Sequence, residues 1–424
     1  AGQFSTVEVT LPNDATGYVI VNVNGTEYGI NLTSGQKSVD VPVIKSGTYD
    51  VVVTYLGDEK YLSNSTKTSF DASKASGNTT IEVQNATVGG DVIVKVTVPD
   101  DATGNVTIVL DNNTTYVVNV TGGENTIAIP GVGEGTHSIN VTYSGDGKYN
   151  PETFLTNVTV FRSIVADPIK RGWNSPYDYK AGFLNKDGTP LVNADVQFTV
   201  NGKTYTVTTD GKGIGYLTDS HLDVGVYDVV VFNPVTGEKV TSNITIVKRL
   251  LENKDITMDY LDGTRYVVLA IGDDGEPVGV GEFVDIYVNT IHYSCKTDKD
   301  GYARLLINLN PDEFSVTAEY KNTMVTNSLI VKQTLKLVKK TVKVKKGKKL
   351  VLKAKLKWTN GKAISGKKIV FKFKGKKYTA KTNSKGIAKV TIKKKVTKKL
   401  KKGKKYKYSA AYSTNIVKGK VKVK

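Results

Sequence analysis

Two phrases of this chain return at a fixed distance. Leu11-Pro12-Asn13-Asp14-Ala15-Thr16-Gly17 comes back as Val98-Pro99-Asp100-Asp101-Ala102-Thr103-Gly104, 87 residues later. Thr54-Tyr55-Leu56-Gly57-Asp58-Glu59-Lys60-Tyr61 comes back as Thr142-Tyr143-Ser144-Gly145-Asp146-Gly147-Lys148-Tyr149, offset by 88. A run of alternating apolar residues recurs more widely, beginning near Tyr49, His137, Tyr227, Phe314 and Tyr406, at spacings of 88, 90, 87 and 92. Self-similarity at a fixed period means one structural unit repeated along the chain. The alternation identifies the unit as β. Strand side chains point to opposite faces in turn, so Tyr49, Val51, Val53 and Tyr55 share one face.

Each repeat has room for about seven short strands separated by turn residues, the pattern of an immunoglobulin-like sandwich. The expected fold is all-β: five tandem immunoglobulin-like β-sandwich domains in an elongated rod. The expected domains are residues 1–78, 79–163, 164–248, 249–332 and 333–424, the first two of one subtype and the last three of another. The second subtype shows in Asp187-Gly188-Thr189-Pro190 and Thr209-Asp210-Gly211-Lys212-Gly213. It shows again in Asp274-Gly275-Glu276-Pro277, Thr297-Asp298-Lys299-Asp300-Gly301 and Thr382-Asn383-Ser384-Lys385-Gly386. No stretch reads as a helix. Ser73-Lys74-Ala75-Ser76-Gly77 has the composition of a flexible linker. Trp173 and Trp358 are expected at least partly in cores or junctions. Cys295 is alone, so no disulfide forms within the chain, and no apolar run is long enough to span a membrane. Ala1-Gly2-Gln3 reads as a mature or truncated start.

Charge is distributed unevenly. Residues 333–424 hold 35 of the 59 basic residues, all lysine, and no Asp or Glu; the remaining 332 residues hold 24 basic against 40 acidic, a balance of −16. Such lysine content usually marks a disordered tail. Here Leu350, Leu352, Ala354, Leu356 and Trp358 put apolar side chains at alternate positions, as do Ile369, Phe371 and Phe373, or Tyr406, Tyr408, Ala410 and Tyr412. The region therefore reads as a folded β-domain with a cationic skin.

The Tyr-Ser-Gly-Asp-Gly-Lys-Tyr loop at 143–149 and the Thr-Asp-x-x-Gly turns resemble motifs of bacterial Ig-like repeat domains in surface adhesins. The lysine-loaded last domain resembles the terminal repeats of adhesin-like proteins of methanogenic archaea. The resemblance covers essentially the whole chain and rests on turn and core positions. It implies fold and an extracellular, cell-surface location, and it names no ligand.

Catalytic signals are weak. Ser220, His221 and Asp223 are adjacent in sequence, but a triad requires geometry in space, and polar residues between strands are expected in turns. Gly361-Lys362-Ala363-Ile364-Ser365-Gly366-Lys367-Lys368 imitates a phosphate loop, yet lacks its final Ser or Thr and leads into a strand. His137, His221 and His292 fall in three different domains. Carboxylates gather at Asp273-Asp274-Gly275-Glu276 and Asp298-Lys299-Asp300, which suits calcium, although Asp also favours turns for its own hydrogen bonds. No enzyme activity, cofactor or metal is expected.

Glycosylation sequons are concentrated: Asn24, Asn31, Asn64, Asn78, Asn85, Asn105, Asn112, Asn113, Asn119, Asn140, Asn157 and Asn243, eleven of the twelve in the first two domains. Asn- and Thr-rich strands also produce such triplets by accident. For the lysines, nucleic acid is disfavoured because arginine, the bidentate reader of phosphates and bases, is missing and the aromatics belong to the core pattern. A solvated face without partner competes with association to an anionic cell-wall or envelope polymer, for which Lys343, Lys345, Lys353, Lys355, Lys357, Lys372 and Lys374 are the expected contacts.

The first domain differs from the second at its start. Val7-Glu8-Val9-Thr10 aligns with Val94-Lys95-Val96-Thr97, leaving no counterpart to the strand expected near Thr80–Gln84. An edge without that strand is a template for self-association or for preceding residues of a longer chain. Together these features predict a non-enzymatic extracellular surface adhesin or stalk, with a host or partner-cell ligand at its outer end. The alternative is a subunit of a surface filament assembled head to tail by strand donation. The accessory region of an extracellular enzyme has no support beyond the fold.

Overall fold

The computed structural model describes residues 1–218 and 221–424. The chain folds as tandem Ig-like β-sandwiches and divides into two compact units. One contains residues 1–167, 179–218 and 228–242; the rest of the described chain forms the other.

In the first unit, the opening sandwich has a four-stranded sheet ordered Thr26–Asn31, Tyr18–Val23, Gly47–Tyr55, Asn64–Ala72, and a two-stranded sheet of Gln3–Glu8 with Ser38–Val43. Val19, Val21, Val23, Ile30, Val41, Val51 and Tyr55 make its core, β-branched and aromatic residues at alternate positions as a half-buried strand requires. Asn24 and Gly25 both take positive φ, 49° and 90°, the geometry of a two-residue hairpin whose twist matches its strands.

The second sandwich repeats this plan with added strands. Thr114–Asn119, Asn105–Leu110, Gly135–Tyr143, Glu152–Phe161 and Ala86–Thr87 form one sheet, and Gly123–Ile129, Val92–Val98 and Thr80–Gln84 the other. Gln3–Glu8 thus holds the place of Val92–Val98, since Val7 pairs Val39 as Val94 pairs Ile127. The strand Thr80–Gln84, which covers the other edge of Val92–Val98, has no counterpart among the described residues of the first sandwich. The consequence is visible in burial: Val94, Val96 and Val141 are fully buried, whereas Val7, Val9 and Val53 are only half-buried.

The repeated phrases are two halves of one clasp. In the first sandwich Asp58 accepts from the backbone N–H groups of Thr16 at 2.8 Å, Lys60 at 2.8 Å and Tyr61 at 2.7 Å, while Tyr55 Oη donates to Thr16 O at 2.9 Å. In the second, Asp146 accepts from Thr103 at 2.8 Å, Lys148 at 2.7 Å and Tyr149 at 2.8 Å, and Tyr143 Oη donates to Thr103 O at 2.7 Å. Each phrase supplies groups that the other satisfies, so both recur together.

The segment expected to be a flexible linker is instead pinned. Ala75 N donates to Lys148 O at 2.8 Å, Asn150 N donates to Ala75 O at 2.9 Å, and Glu152 accepts from Gly77 N at 3.1 Å and Thr79 N at 2.8 Å. Small residues there permit close approach of two backbones rather than freedom.

Of the third repeat, this unit holds the sheet Ile164–Val165, Tyr179–Phe183, Ile214–Leu217 and the pairing of Asp195–Val200 with Lys203–Thr208. Phe198 meets Tyr179 and Phe183 edge to face, with centroids 6.0 and 5.9 Å apart.

In the second unit, Ile169–Gly172 runs parallel to the end of Lys239–Val247. Arg249, 1 % exposed, donates to Trp173 O at 2.7 Å, Ile271 O at 3.3 Å and the Asp273 carboxylate at 2.6 Å. Trp173 is itself half-buried there.

The fourth sandwich pairs Ile256–Asp259, Thr323–Lys332, Asp312–Tyr320, Phe283–Val288 and Ile291–Lys296 in one sheet with Leu250–Leu251, Arg265–Ala270 and Tyr302–Leu306 in the other. The fifth has the same order: Thr341–Val344, Asn415–Val423, Lys405–Tyr412, Lys368–Phe373, Lys376–Lys381, and opposite them Leu335–Leu337, Leu350–Leu356, Ile387–Ile392. Leu352, Leu356, Ile369, Phe371, Phe373, Ala388, Ile392, Tyr408, Ala410 and Val421 fill its interior, with Trp358 packed at the margin. The lysine-rich region is a closed sandwich.

The helix-free expectation is corrected at two short stretches among the described residues, of which Leu32–Ser34 is a single 3-10 turn. Lys394–Lys398 forms a single helical turn, held because Thr397 is buried and donates to Lys348 O at 2.7 Å and Lys394 O at 3.0 Å. No helix among the described residues is long and apolar enough to cross a membrane.

Candidate polyanion-binding faces

The period-2 pattern of the last domain turns its lysines outward on both sheets. On the three-stranded sheet, Lys353 pairs Lys389 and Lys355 pairs Lys336. On the five-stranded sheet, Lys372 pairs Lys377, Lys407 pairs Lys420, and Lys422 lies between Lys405 and Lys343. All of these side chains are exposed. Like charges directly opposite each other on neighbouring strands repel, so the fold carries this arrangement at a cost in stability.

The turns show how thoroughly negative charge is missing. In the third domain Asp210 accepts from Lys212 N at 2.8 Å and Ile214 N at 2.9 Å, and in the fourth Asp298 accepts from Asp300 N and Tyr302 N at 3.0 Å. In the fifth the same two bonds, from Lys385 N and Ile387 N at 3.0 Å, go to the amide oxygen of Asn383. Likewise Asp187 and Asp274 each accept from the backbone two residues on, and Asn360 replaces them by accepting from Lys362 N at 3.0 Å. The turn geometry is kept and its charge removed.

The seven lysines expected from the sequence are divided by the fold. Lys353 and Lys355 lie on the three-stranded face and Lys357, half-buried, just beyond it. Lys343 and Lys372 lie on the five-stranded face. Lys345 follows a strand, and Lys374 occupies the Lys374-Gly375 hairpin at φ 48°, its ammonium 5.3 Å from the centre of the Tyr406 ring. The sequence reading missed Lys407, Lys418 and Lys420. The inward alternation of Tyr406, Tyr408 and Ala410 was the signal that could have placed Lys407 outward. Tyr408 is buried, its Oη donates to Lys339 O, and burial pushes its phenol above the ordinary value, so it remains a neutral donor.

The other candidates resolve differently. Among the described residues no three His, Cys, Asp or Glu gather as a metal site. Asp273 is held by Lys321 at 2.5 Å and Arg249, and the Lys321 and Arg249 charges keep its carboxyl below the usual range. Asp298 is occupied by its turn and by Arg304. His221 and Asp223 line a cavity of about 440 Å³ with Arg171, Trp173 and Asp178, whereas Ser220 lies outside the described residues. The phosphate-loop imitation runs into the strand Lys368–Phe373 with no helix to receive a phosphate. His137 bonds Asp111 at 2.7 Å, and His292 bonds Asp285 at 2.9 Å.

Of the sequon asparagines, Asn24, Asn64, Asn78, Asn85, Asn112, Asn113, Asn119 and Asn157 are exposed; Asn31, Asn105, Asn140 and Asn243 are half-buried. Asn140 Oδ1 is buried without a partner, a poor position for a glycan.

No protein-family profile matches this chain, and neither does any curated protein. Solved structures with similarity include a Ca²⁺-stabilized adhesin with which an Antarctic bacterium binds ice, at 16% identity over 83% of this chain and 100% of that chain, with a TM-score of 0.19. The I9-I11 tandem of titin matches at 11% identity over 61% and 98% of the two chains, with a TM-score of 0.33. Domains 4-9 of a surface layer protein match at 14% identity over 94% and 72%, with a TM-score of 0.22.

Proposed function

We propose that this chain belongs to a non-enzymatic protein of the cell exterior, an adhesin or stalk of five sandwiches, whose final domain associates with an anionic cell-wall or envelope polymer. The observation that carries this reading is the pairing of lysine with lysine across both faces of residues 333–424, in a domain whose turn caps are amides instead of carboxylates. A solvated surface needs no such removal of compensating charge. Net charge of one sign over one domain supplies a long-range attraction without a specific pocket. The sequons of the first two domains, eight of them on exposed asparagines, suit a glycosylated outer end that meets a partner cell.

The test is retention of the intact chain on immobilised long-chain polyphosphate or poly-glutamate. The expectation is binding at low salt and elution as salt rises, because exposed charges are screened within about 8 Å at physiological ionic strength. Passage without retention at low salt overturns the reading. A second reading, the filament subunit, has in its favour the edge of the Gln3–Glu8 strand that no described residue pairs, with Val7 and Val9 only half-buried. Light scattering checks it: concentration-dependent growth in mass is expected for a filament, and a constant monomer mass rejects it.

A further inference from the structure

We infer that one of the two lysine faces, the outer face of the five-stranded sheet, holds the charged groups of a linear polyanion, and that they seat in a cleft over Ser409. This rests on the proposed association with an anionic polymer and narrows it to a place. Register puts Lys377, Lys372, Ser409 and Lys418 in one row across four strands. The next row on the same face is Lys407 and Lys420. Neighbouring strands lie about 4.8 Å apart, and same-face residues along a strand about 6.8 Å apart. Ser409 is therefore ringed at close range by Lys372, Lys418, Lys407 and Lys420.

A short side chain amid long ones leaves a depression. It measures about 410 Å³ and is lined by Lys372, Lys374, Lys407, Lys418, Lys420 and Ser409 among others. There is no Asp or Glu anywhere in residues 333–424 to fill it as a counter-charge. The Ser409 hydroxyl adds a neutral donor at the floor, suited to an oxyanion.

The fourth domain shows what the same row looks like without this role. His292, Tyr287, Thr317 and Thr326 occupy the corresponding register. There the Tyr287 and His292 rings stack at 4.9 Å and the two threonine hydroxyls bond at 2.9 Å. Side chains satisfy each other and the face is closed. In the fifth domain His292, Tyr287 and Thr326 give way to Lys377, Lys372 and Lys418, cations with no side-chain carboxylate in their own domain, and Thr317 gives way to Ser409.

The opposite, three-stranded face lacks this geometry. Its lysine rows are interrupted by the Val351–Thr391 pair and by Ile387. Its cavity, about 350 Å³, is lined as much by Val338, Val342 and Val351 as by Lys339, Lys353 and Lys389. Ammonium groups are point charges without the planar fork of arginine, so the cleft selects charge density over shape. Phosphodiester and carboxylate polymers both supply it.

Two quadruple variants of the full chain remove equal charge from the two faces. One is Lys372→Gln, Lys407→Gln, Lys418→Gln, Lys420→Gln; the other is Lys336→Gln, Lys353→Gln, Lys355→Gln, Lys389→Gln. Affinity for long-chain inorganic polyphosphate, and separately for poly-glutamate, is expected to fall at least about 10-fold in the first and no more than about 3-fold in the second. The tighter probe identifies phosphate or carboxylate as the group held. A single-residue pair repeats the contrast: Ser409→Asp is expected to weaken binding far more than Thr391→Asp, with hydrogen exchange over 333–424 confirming that both fold. Equal losses in the two sets would mean a diffuse field and overturn the cleft, leaving the association itself intact. Failure of the unmodified chain to bind either polymer overturns both.

Discussion

The fourth and fifth sandwiches have the same strand order in both sheets and opposite ways of handling charge. The fourth ties several of its charges into pairs. Arg249 is buried against Asp273, which also binds Lys321, and Arg304 meets Asp298. The fifth has side-chain charges of one sign only, all but the half-buried Lys357 exposed, over a core of Leu, Ile, Val, Phe and Tyr. The sandwich needs the buried alternation and the turn caps; it does not need the outward residues to be of any particular sign. Surface charge is then free to serve a partner, and in the fifth domain it has been taken to one extreme.

The largest effect should come from breaking a pair. Arg249→Ala empties a buried site, strips the Trp173 and Ile271 carbonyls of their donor and leaves the half-buried Asp273 to Lys321 alone, and destabilisation of the region around 249–332 by about 2–4 kcal/mol is expected. No single Lys→Gln in 333–424 should exceed about 0.5 kcal/mol. Denaturant midpoints read by hydrogen exchange of peptides from each domain check both; a lysine variant as damaging as Arg249→Ala would break the contrast.

Acid sharpens it next. Lys321 first, then Arg249, hold the folded carboxyl of Asp273 below its ordinary value. Its contribution to stability is therefore present above the unfolded carboxylate pKa and lost as pH falls through the folded one. The fourth domain should lose exchange protection as pH drops from about 5 to about 3, near and below the usual carboxylate range. The fifth, with no Asp or Glu to protonate, should not, and equal acid lability would contradict the assignment.

Salt gives the smallest effect and the opposite ranking. Screening relieves repulsion among the 35 lysines, so the fifth domain should gain about 1 kcal/mol, on the order of 4–8 °C for a domain of this size. The fourth should gain little or lose slightly. Trp358 fluorescence in a Trp173→Phe background reports the melting of the fifth domain alone. A melting point unchanged by salt would mean the lysines do not strain the fold.

Much of this architecture was legible because alternation is local. Leu350, Leu352 and Ala354, or Phe371 and Phe373, declare their face within a few residues, and with it the exposure of the lysines between them. What stayed hidden depends on residues far apart in the chain. The reason Asp58 recurs as Asp146 lies in Thr16 and Thr103, more than forty positions earlier. Ser73 to Gly77 looked flexible because composition cannot show that Lys148, Asn150 and Glu152 hold it. The cleft over Ser409 exists only through the register that sets it between Lys372 and Lys418, and cross-strand register is not written in any one strand. The flank of Gln3–Glu8 left unpaired among the described residues was the exception, legible because a second copy of the repeat in the same chain supplied the missing term of comparison.

The proposed association of the fifth domain with polyanion runs through exposed lysines that meet no side-chain carboxylate of their own domain. It is tested most directly by the affinity of the intact chain for long-chain inorganic polyphosphate measured across a salt series. Four to five lysines engaged should release a comparable number of counterions, so log K should fall linearly with log salt at a slope of about −3, and Lys372→Gln with Lys418→Gln should flatten it by more than about one. An affinity that does not change with salt would contradict the claim.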